Sequence, residues 1–439
     1  MKIVENYTPE KGEEAEKELL EQEAPEEEAA APAEEDKKTQ KKTKKKHSWI
    51  VPTILSIILV AIGAGCITFF IIAQNEKNKE AAKYPDAVPA ERFYSNLTGE
   101  DLDTAAEITA PVYCIQTPNG LDGARPQVGL HDAGVIFEAI AERGVTRFAA
   151  IYQNPKNAIV GPIRSLRLYY LEWDTPFDCT IVHAGGADDA IAAVRNGYKH
   201  LNESTTYMYR GNYNYHNWNN LFTTPGLLNQ YNIDANGGTG SNIKGFTRMN
   251  PNDAEDELDH LKSLKADAEA AKNDSTTENE ADSSAQENAE KLPEMANSIF
   301  IYYGYNDDFN PSYEYDNETN TYKRSYGYGP HTSYVCPDQD LTGKDPVDYC
   351  EEKQLSPKVV VAMFIEEHVA SDNYHESITT IGSGKAYIFQ NGKVLKGTWS
   401  KASASEQIKF TDESGAEIPL IPGQTWISAV PNYGSISFE

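Results

Sequence analysis

A run of 25 residues without a charged side chain, residues 49–73, constrains the topology of the chain more than any other feature. As a helix rising about 1.5 Å per residue, it would cross the roughly 30 Å hydrocarbon core of a bilayer with some tilt. Pro52 falls in its first turn, where a missing amide proton does least harm. Trp49 stands where an interfacial aromatic residue is expected. We therefore expect a single transmembrane helix over residues 49–73.

The lysines before this run predict its orientation. Seven lysines stand between residues 37 and 46, whereas the residues after the run are mixed in sign. Because positive flanks remain on the cytoplasmic side, we expect a cytoplasmic N-terminus and an extracellular C-terminal ectodomain. The membrane would then be contacted through residues 49–73.

A cleaved lipoprotein signal is the alternative interpretation, because Gly63-Ala64-Gly65 places small residues before Cys66. The polar leader is longer than that of an ordinary signal, and the apolar run continues past Cys66 as far as Ile72. The sequence favours the transmembrane helix and leaves open whether Cys66 carries a lipid.

The chain is strongly acidic, with a formal net charge of −28 over 439 residues. Such an excess excludes unassisted binding of nucleic acid as its main task. Residues 1–48 are rich in Glu, Ala and Pro, which predicts a disordered cytoplasmic tail, with a docking site for a cytoplasmic partner as the alternative. Residues 74–110 are polar and helix-leaning, which predicts a stalk.

Residues 111–250 mix strand and helix patterns. Residues 112–116 predict a strand, and residues 135–152, interrupted by Glu142-Arg143-Gly144, predict a hairpin. Apolar residues at helical spacing predict a helix over residues 163–173. Residues 179–194 predict a strand, a glycine turn and a helix. We expect a mixed α/β half here.

The glycine turn, Ala184-Gly185-Gly186, has two interpretations. It could present backbone N–H groups to an anionic ligand at the start of the next helix. Alternatively it is a tight structural turn, because Asp188 and Asp189 already occupy the positive end of that helix and would repel an anion.

The second half differs in composition and in its predicted secondary structure. Residues 251–295 lose nearly all aromatic residues and predict an acidic disordered insertion, helical as far as about Ala271. Residues 296–439 contain short β-leaning runs, including the hairpin signal Asn391-Gly392. The predicted fold class is α+β: a single transmembrane helix, a mixed α/β ectodomain half and a β-rich second half.

Several separate motifs, found in one order along the chain, resemble the YerB-like family of bacterial membrane-anchored envelope proteins. In the first half they are Ala124-Arg125-Pro126-Gln127-Val128-Gly129-Leu130, Phe137-Glu138-Ala139, Gly144-Val145-Thr146-Arg147-Phe148, Gly161-Pro162-Ile163-Arg164-Ser165-Leu166-Arg167 and Val182-His183-Ala184-Gly185-Gly186. In the second half they are Tyr315-Asp316, Tyr322-Lys323-Arg324, Pro330-His331, Gly397-Thr398-Trp399 and Pro422-Gly423-Gln424-Thr425-Trp426. The resemblance implies an extracytoplasmic module with an N-terminal domain over residues 111–250 and a C-terminal domain over residues 296–439. Many members of that family are lipoproteins.

Three arginines, Arg125, Arg147 and Arg164, lie in loops or at the ends of elements in an otherwise acidic region. Arginine is suited to bidentate recognition of carboxylate or phosphate. We therefore expect a cleft that binds an anionic wall glycan or peptide, with these candidate residues: Arg125, Glu138, Arg147, Arg164, Ser165, His183, Gly185 and Gly186. In the alternative, Glu138 pairs with Arg147 across two strands and the other arginines hold loops through backbone carbonyls.

Catalysis would need an acid or base in such a cleft, and the weak candidates are Glu138, Asp189, His183 and His331. A glycan-modifying enzyme would need two carboxylates around the cleft, for which Glu138 and Asp189 are the pair to test. Ser333 stands near His331 where the family resemblance suggests an acidic residue. No established catalytic or metal-binding motif is present, so we expect no cofactor and no metal.

Four cysteines follow the apolar run: Cys114, Cys179, Cys336 and Cys350. They allow three pairings. In an oxidising exterior the sequence favours Cys336 with Cys350, which closes a short loop, and Cys114 with Cys179, whose strands could be neighbours. Free buried thiols are the alternative.

Three classes of function remain. The first is a binding or scaffolding module of the bacterial envelope, with stacking surfaces for sugars or peptides in a Tyr- and Trp-rich stretch, for which a core-covering loop is the alternative. The aromatic residues of that stretch are Tyr207, Tyr209, Tyr213, Tyr215 and Trp218. The others are a wall glycan-modifying enzyme and a structural subunit that binds other envelope proteins. The sequence favours the first.

Overall fold

Strands make up most of the regular structure in the computed structural model, which describes residues 92–211, 220–274, 292–304, 306–337, 339–342 and 346–439. Residues 1–91, and with them the predicted tail, the predicted transmembrane helix over residues 49–73 and Cys66, lie outside the described residues. Among the described residues no helix is both long enough and apolar enough to span a bilayer. The structure therefore gives no support to a single transmembrane helix.

The first part of the described chain contains short and medium-length strands, three short helices and one long helix. The strands are β1 (Phe93–Tyr94), β2 (Asp101–Leu102), β3 (Val112–Pro118), β4 (Gln127–Val128), β5 (Val135–Glu142), β6 (Val145–Gln153), β7 (Val160–Ile163), β8 (Thr180–Val182), β9 (His200–Leu201), β10 (Tyr209–Arg210) and β11 (Leu221–Thr223). The helices are α1 (Leu168–Asp174), α2 (Asp188–Val194), α3 (Pro225–Asn236) and α4 (Pro251–Asp274).

The second part is built almost entirely of strands. They are β12 (Ser298–Tyr302), β13 (Ser312–Asp316), β14 (Thr321–Tyr326), β15 (Gly329–Pro330), β16 (Thr332–Val335), β17 (Glu351–Gln354), β18 (Val359–Ile365), β19 (Glu367–Val369), β20 (Glu376–Ile378), β21 (Gly382–Gln390), β22 (Lys393–Lys401), β23 (Lys409–Asp412), β24 (Thr425–Pro431) and β25 (Ser435–Phe438). A one-turn helix, α5 (Pro346–Tyr349), precedes β17. Single 3-10 turns occur at Ala105–Thr109, Leu130–Asp132, Thr175–Phe177 and Asp307–Phe309.

A ten-stranded sheet joins the two parts, in the order β23-β22-β21-β18-β24-β5-β6-β3-β8-β9. Its central seam is the parallel pairing of β24 with β5, where Thr425 is opposite Val135 and Ser428 is opposite Glu138. The predicted fold class, a single transmembrane helix followed by a mixed α/β half and a β-rich second half, is therefore wrong: the described chain is β-rich with few helices, none of them able to span a bilayer, and its halves share one sheet. The physical reason is that β5 and β24 are apolar enough to be buried on both faces, which suits central strands.

The ten-stranded sheet is covered on both faces. On one face α1 packs against it, with the rings of Trp173 and Phe137 stacked at 5.3 Å. On the other face Phe148 meets Trp426 edge to face at 5.1 Å. Because neighbouring residues of a strand point to opposite faces, each central strand supplies both cores.

Two further sheets complete the body, and each also draws on the second part. A six-stranded sheet has the order β10-β11-β7-β4-β16-β17, in which β4 runs parallel to β16. A five-stranded sheet has the order β15-β14-β13-β12-β25. The pairs β1-β2 and β19-β20 form small two-stranded ribbons.

Local turn signals in the sequence correspond to hairpins in the structure. The predicted β5–β6 hairpin is confirmed, with Arg143 and Gly144 at φ of 47° and 78°. The hairpin predicted at Asn391-Gly392 is also confirmed, joining β21 to β22 with φ of 55° and 71°. Positive φ at both central residues matches the twist of the flanking strands.

Two segments differ from, or add to, what the sequence predicts. Residues 92–110 form β1, β2 and a 3-10 turn, and Leu97 is buried against Gly134 in the core, so this part is not a helical stalk. In the predicted insertion, α4 continues to Asp274, and residues 275–291 lie outside the described residues.

Two disulfides close loops of the described chain, in the pairing that the sequence favours. Cys114 of β3 bonds to Cys179, just before the parallel strand β8. Cys336 bonds to Cys350, which tethers the connection between β16 and β17.

Candidate functional site

A cleft of about 470 Å³ opens where the β5–β6 hairpin turns and loops from both parts of the chain meet. We call it the arginine cleft. Its lining includes Asn119, Arg143, Arg147, Arg164, Phe309 and Tyr374. The guanidinium of Arg143 lies 5.1 Å from the centre of the Tyr374 ring, an arrangement in which the ring attracts the cation.

Arg147 is held by an ion pair on the inner side of the cleft. Its Nη2 donates to Oε1 of Glu142 at 2.9 Å and its Nη1 to the carbonyl oxygen of Ser165 at 2.6 Å. The other oxygen of Glu142 accepts from Nη2 of Arg167 at 2.6 Å. Burial, with the neighbouring charge of Arg167, lowers the pKa of Arg147, and Glu142 opposes this. One carboxylate therefore fixes two buried arginines.

Each of these two arginines retains an unused donor. The Nε atoms of Arg147 and Arg167 are buried and have no acceptor among the described residues. Arg147 and Arg167 as whole residues are 7% and 5% exposed. An enclosed donor without an acceptor costs about 1–3 kcal/mol, so each Nε is a local cost of the arrangement that places both arginines on Glu142.

The predicted glycine turn lies beside the arginine segment. Ala184 N donates to the Arg164 carbonyl oxygen at 3.0 Å, and Leu166 N donates to the Gly185 carbonyl oxygen at 3.1 Å. A Cβ at Gly186 would lie 3.0 Å from the Leu166 carbonyl oxygen, so the close approach favours glycine. These bonds use the turn to position residues 164–166, which is the structural interpretation of this turn.

Arg164 lines the arginine cleft itself. Burial lowers its pKa, with Asp122 opposing and Arg147 contributing to the effect. Arg164 and Arg147, both predicted as ligand-binding residues, are thus brought to the same cleft.

Arg125 reaches the wall of the arginine cleft from the loop after β3. Its Nε donates to Asn119 Oδ1 at 2.8 Å and its Nη1 to the Asp308 carbonyl oxygen at 3.1 Å. Its guanidinium lies over the rings of Tyr326, at 4.1 Å, and Phe309, at 4.9 Å. The Nη2 of Arg125 is a third buried donor without an acceptor among the described residues.

Glu138 lies beneath the cleft and is fully buried. It does not pair with Arg147, because Arg147 points to the α1 face of the sheet and Glu138 to the opposite face. Its partner is Arg324, whose Nη2 lies 2.9 Å from Oε2. Trp426 Nε1 and Thr146 Oγ1 also donate to Glu138, each at 2.9 Å.

This buried pair is linked to the cleft through side chains of its lining. Asn119 Nδ2 donates to Thr146 Oγ1 at 2.7 Å and to the Tyr326 hydroxyl at 2.9 Å. That hydroxyl also accepts from Arg324 Nη2 at 2.8 Å. The network therefore positions Asn119, and through it Arg125, without being exposed to a ligand.

The candidate histidines are engaged in buried contacts. His331 Nδ1 accepts from Arg324 Nε at 2.9 Å and its Nε2 lies 3.1 Å from Gln127 Oε1. Burial and the charge of Arg324 hold the pKa of His331 well below its usual range. His183 has its Nδ1 2.8 Å from the Gly185 carbonyl oxygen and its Nε2 3.3 Å from His200 Nδ1. Burial lowers the pKa of His183 to about 4.

The predicted carboxylate pair is not assembled around one cleft. Asp189 is exposed in the first turn of α2 and lines a different cavity, whereas Glu138 is enclosed by Arg324 and Trp426. The Tyr- and Trp-rich stretch is only partly described: Tyr207 donates to Asp234 at 2.8 Å, and Tyr213, Tyr215 and Trp218 lie outside the described residues. Within the described ranges no group of three or more His, Cys, Asp or Glu is arranged to hold a metal ion.

Sequence reasoning missed the residues that the second part contributes. Arg324 and Trp426 enclose Glu138, and Tyr374 reaches the arginine cleft from the loop between β19 and β20. Arg324 and Trp426 occur in the motifs that carry the family resemblance, so the motifs contained the signal but not the contact. Arg143 could have been found from its place at the hairpin turn.

Comparison with known proteins identifies relatives with the same organisation. Residues 97–238 match the "Protein of unknown function (DUF3048) N-terminal domain" and residues 299–427 match the corresponding C-terminal domain. The Bacillus subtilis protein named "Putative lipoprotein YerB" is 25% identical over 383 residues, which cover 85% of this chain and 96% of that protein. The crystal structure of the Bacillus subtilis YerB protein superposes with a TM-score of 0.57 at 21% identity, covering 79% of this chain and 99% of that one, and so shows the same fold. Together the matches to both domains, in order, show that the chain belongs to the DUF3048 family.

Proposed function

We propose that this chain is an envelope-associated binding protein that holds the anionic group of a wall glycan or peptide in the arginine cleft. The envelope setting is supported by the Bacillus subtilis relative, whose name describes a lipoprotein and which aligns over most of this chain. A protein of that kind is attached to the membrane and acts outside it.

The observation that carries the proposal is the set of three arginines that line the cleft, Arg143, Arg147 and Arg164. Arg143 is exposed and Arg164 is half-buried, so both present guanidinium donors to the cleft. Carboxylate or phosphate oxygens would satisfy such donors with charge-assisted hydrogen bonds. Asp122, Glu142 and Asp308 line the same cleft, so the arrangement of the guanidinium donors, and not a net positive charge, would select the anion.

The aromatic side chains of the cleft suit a ligand with a ring or a peptide plane. Phe309 and Tyr374 line it, and Tyr374 is 43% exposed. Polar anchoring by arginines together with an exposed aromatic face is the usual composition of a specific ligand site. Hydrolysis of the glycan is not proposed, since Glu138 is enclosed and Asp189 lines another cavity.

Binding of the purified full chain to isolated cell-wall polymer tests the proposal. We expect Arg143→Asn with Arg164→Gln to weaken retention about tenfold, the effect of losing about 1.4 kcal/mol. Asn tolerates the positive φ of residue 143. Arg195→Gln, a change at an exposed arginine outside the cleft lining, is the control and should bind as the unchanged chain does. Equal retention by all three proteins would contradict the proposal.

A further inference from the structure

Exposed apolar side chains are concentrated around the arginine cleft. Among the described residues nine large apolar or aromatic side chains are exposed, and three of the nine lie here. Leu121, at 54%, and Tyr374 line the cleft itself. Tyr328, at 56%, lies beside it on the turn between β14 and β15. Because soluble proteins rarely cluster exposed apolar groups without a binding role, we expect the ligand of the cleft to extend over this rim.

Tyr328 is connected to the cleft wall by a single side chain, that of Arg125. Arg125 Nη1 donates both to the Asp308 carbonyl oxygen, at 3.1 Å, and to the Tyr328 hydroxyl. Asp308 and Phe309 line the cleft, and the same guanidinium lies 4.9 Å from the centre of the Phe309 ring. The surface of the cleft therefore continues through Arg125 to the ring of Tyr328.

The ring of Tyr328 is already ordered without a ligand. It stacks on Tyr326, with ring centres 5.7 Å apart and an interplanar angle of 17°. Since Tyr326 covers one face, the exposed area of Tyr328 belongs to the other face and to the ring edge. A Cβ on either flanking glycine, Gly327 or Gly329, would have no non-neighbouring atom within 4 Å, so the tip of the turn is uncrowded. An ordered ring loses little conformational entropy when a ligand stacks on it.

The strands at this surface favour a sugar over an extended peptide. A peptide commonly binds by adding a strand to a free sheet edge, but β5, β6 and β14 all lie inside their sheets. The edge strand beside Tyr328 is β15, which has two residues, and its Pro330 has no N–H to donate. A sugar needs no strand edge, because the C–H groups on one face of its ring pack against an aromatic face while its hydroxyls remain in water.

We infer that the arginine cleft and Tyr328 together bind a chain of acidic sugars. The acidic group of one unit lies among Arg143, Arg147 and Arg164, and the ring of a neighbouring unit stacks on the open face of Tyr328. The inference rests on the proposed function, of which it names the ligand class. A single acidic sugar would use only the arginines, whereas a longer chain would also use Tyr328, so Tyr328 selects for chain length.

Retention of the purified full chain on isolated cell-wall polymer tests the role of Tyr328. Tyr328→Leu keeps an apolar side chain but removes the ring, and we expect it to weaken retention about three- to tenfold. Tyr328→Phe keeps the ring and should bind within about twofold of the unchanged chain. Tyr349→Leu removes an exposed ring, at 46%, that is outside the cleft lining, and should leave retention unchanged. Equal retention by Tyr328→Leu and Tyr349→Leu would overturn the inference.

Ligand-observed NMR titration with defined acidic oligomers tests the ligand class. Trigalacturonic acid should bind at least about tenfold more tightly than galacturonic acid, and Tyr328→Leu should reduce the affinity of the trisaccharide alone. The amide of N-acetyl-triglutamate carries the same three carboxylates on a peptide backbone, and its affinity should not respond to Tyr328→Leu. A trisaccharide that binds no better than the monosaccharide overturns the inference. A peptide that loses as much affinity as the trisaccharide also overturns it, in favour of a peptide ligand.

The outcome is separable from that of the proposed function. If Tyr328→Leu has no effect while Arg143→Asn with Arg164→Gln releases wall polymer, the inference is overturned and the proposed function stands. If Tyr328→Leu weakens retention while the double arginine variant loses nothing, stacking at Tyr328 is supported and the proposed function is rejected.

Discussion

Arg324 and Glu138 form an ion pair in which neither side chain has any solvent exposure, with Nη2 of the arginine 2.9 Å from Oε2 of the glutamate. Glu138 comes from β5 and Arg324 from β14, so the pair joins the two parts of the chain. The Arg324 guanidinium also lies 4.3 Å from the Trp426 ring centre. Each buried charge is therefore compensated mainly by the other.

Removing one member of this pair should destabilise the protein strongly. Glu138→Gln leaves the guanidinium buried without a counter-charge, for which we expect a loss of about 3–5 kcal/mol in the free energy of unfolding. Glu138→Gln with Arg324→Met should lose less than the sum of the single changes. Urea unfolding of the four proteins measures the coupling. Asp101→Asn, which breaks the exposed pair with Arg92, should cost about 1 kcal/mol or less; a similar cost for Glu138→Gln would contradict the assignment.

Glu367 should make stability fall as pH rises. Burial raises the pKa of its carboxyl from 4.5 to about 7, while Tyr433 donates to Oε1 at 2.8 Å. Because the folded state holds this proton more tightly, its contribution is complete below pH 4.5 and is lost as pH rises through 7, by up to roughly 3 kcal/mol. Urea unfolding at pH 5 and pH 7 should show a smaller decrease for Glu367→Gln than for the unchanged chain. Identical decreases in the free energy of unfolding of the two proteins would refute the raised pKa of Glu367.

His183 should have the opposite effect on stability, which should fall as the pH falls. Its pKa is lowered from 6.5 to about 4 by burial, so the unfolded chain takes up this proton first as the pH falls. The stability contributed by neutral His183 is therefore complete above pH 6.5 and decreases as the pH falls toward 4. An NMR titration of the imidazole nitrogens should show His183 still neutral at pH 5. A midpoint near 6.5 would contradict the buried geometry.

Gly392 should be intolerant of a side chain for two separate reasons. Its φ is +71°, and a Cβ there would lie 2.6 Å from Cε1 of Tyr315. Gly415 also has positive φ, +85°, but a Cβ there would have no neighbour within 4 Å. We expect Gly415→Ala to cost about 1–2 kcal/mol from backbone strain and Gly392→Ala to cost clearly more. Thermal or urea unfolding compares them, and equal costs would show that Tyr315 moves aside freely.

Local features of this fold could be predicted from the sequence, and long-range pairings could not. Arg143-Gly144 and Asn391-Gly392 specify their hairpins through residues that tolerate positive φ. The pairing of β24 with β5 depends on strands almost at opposite ends of the described chain, and neither strand's own pattern indicates its neighbour. An apolar run shows that a strand is buried but not what buries it.

The candidate site divides in the same way. Arg147 and Arg164 could be placed in one cleft because a short stretch of chain connects them and arginines are rare in this acidic protein. Glu138 could not be assigned, because its partners Arg324 and Trp426 come from the second part. Glu138 of β5 and Arg147 of β6 are close in sequence, but their side chains point to opposite faces of the sheet.

The seam between β5 and β24 has a consequence for the order in which the molecule can be completed. During synthesis β5 emerges long before its neighbour, residues 425–431, exists. Until then an apolar strand has an unpaired backbone edge, which is a template for association with other chains. The nascent protein therefore needs this edge shielded until residues 425–431 are made, and a truncation before residue 425 would leave the edge permanently open.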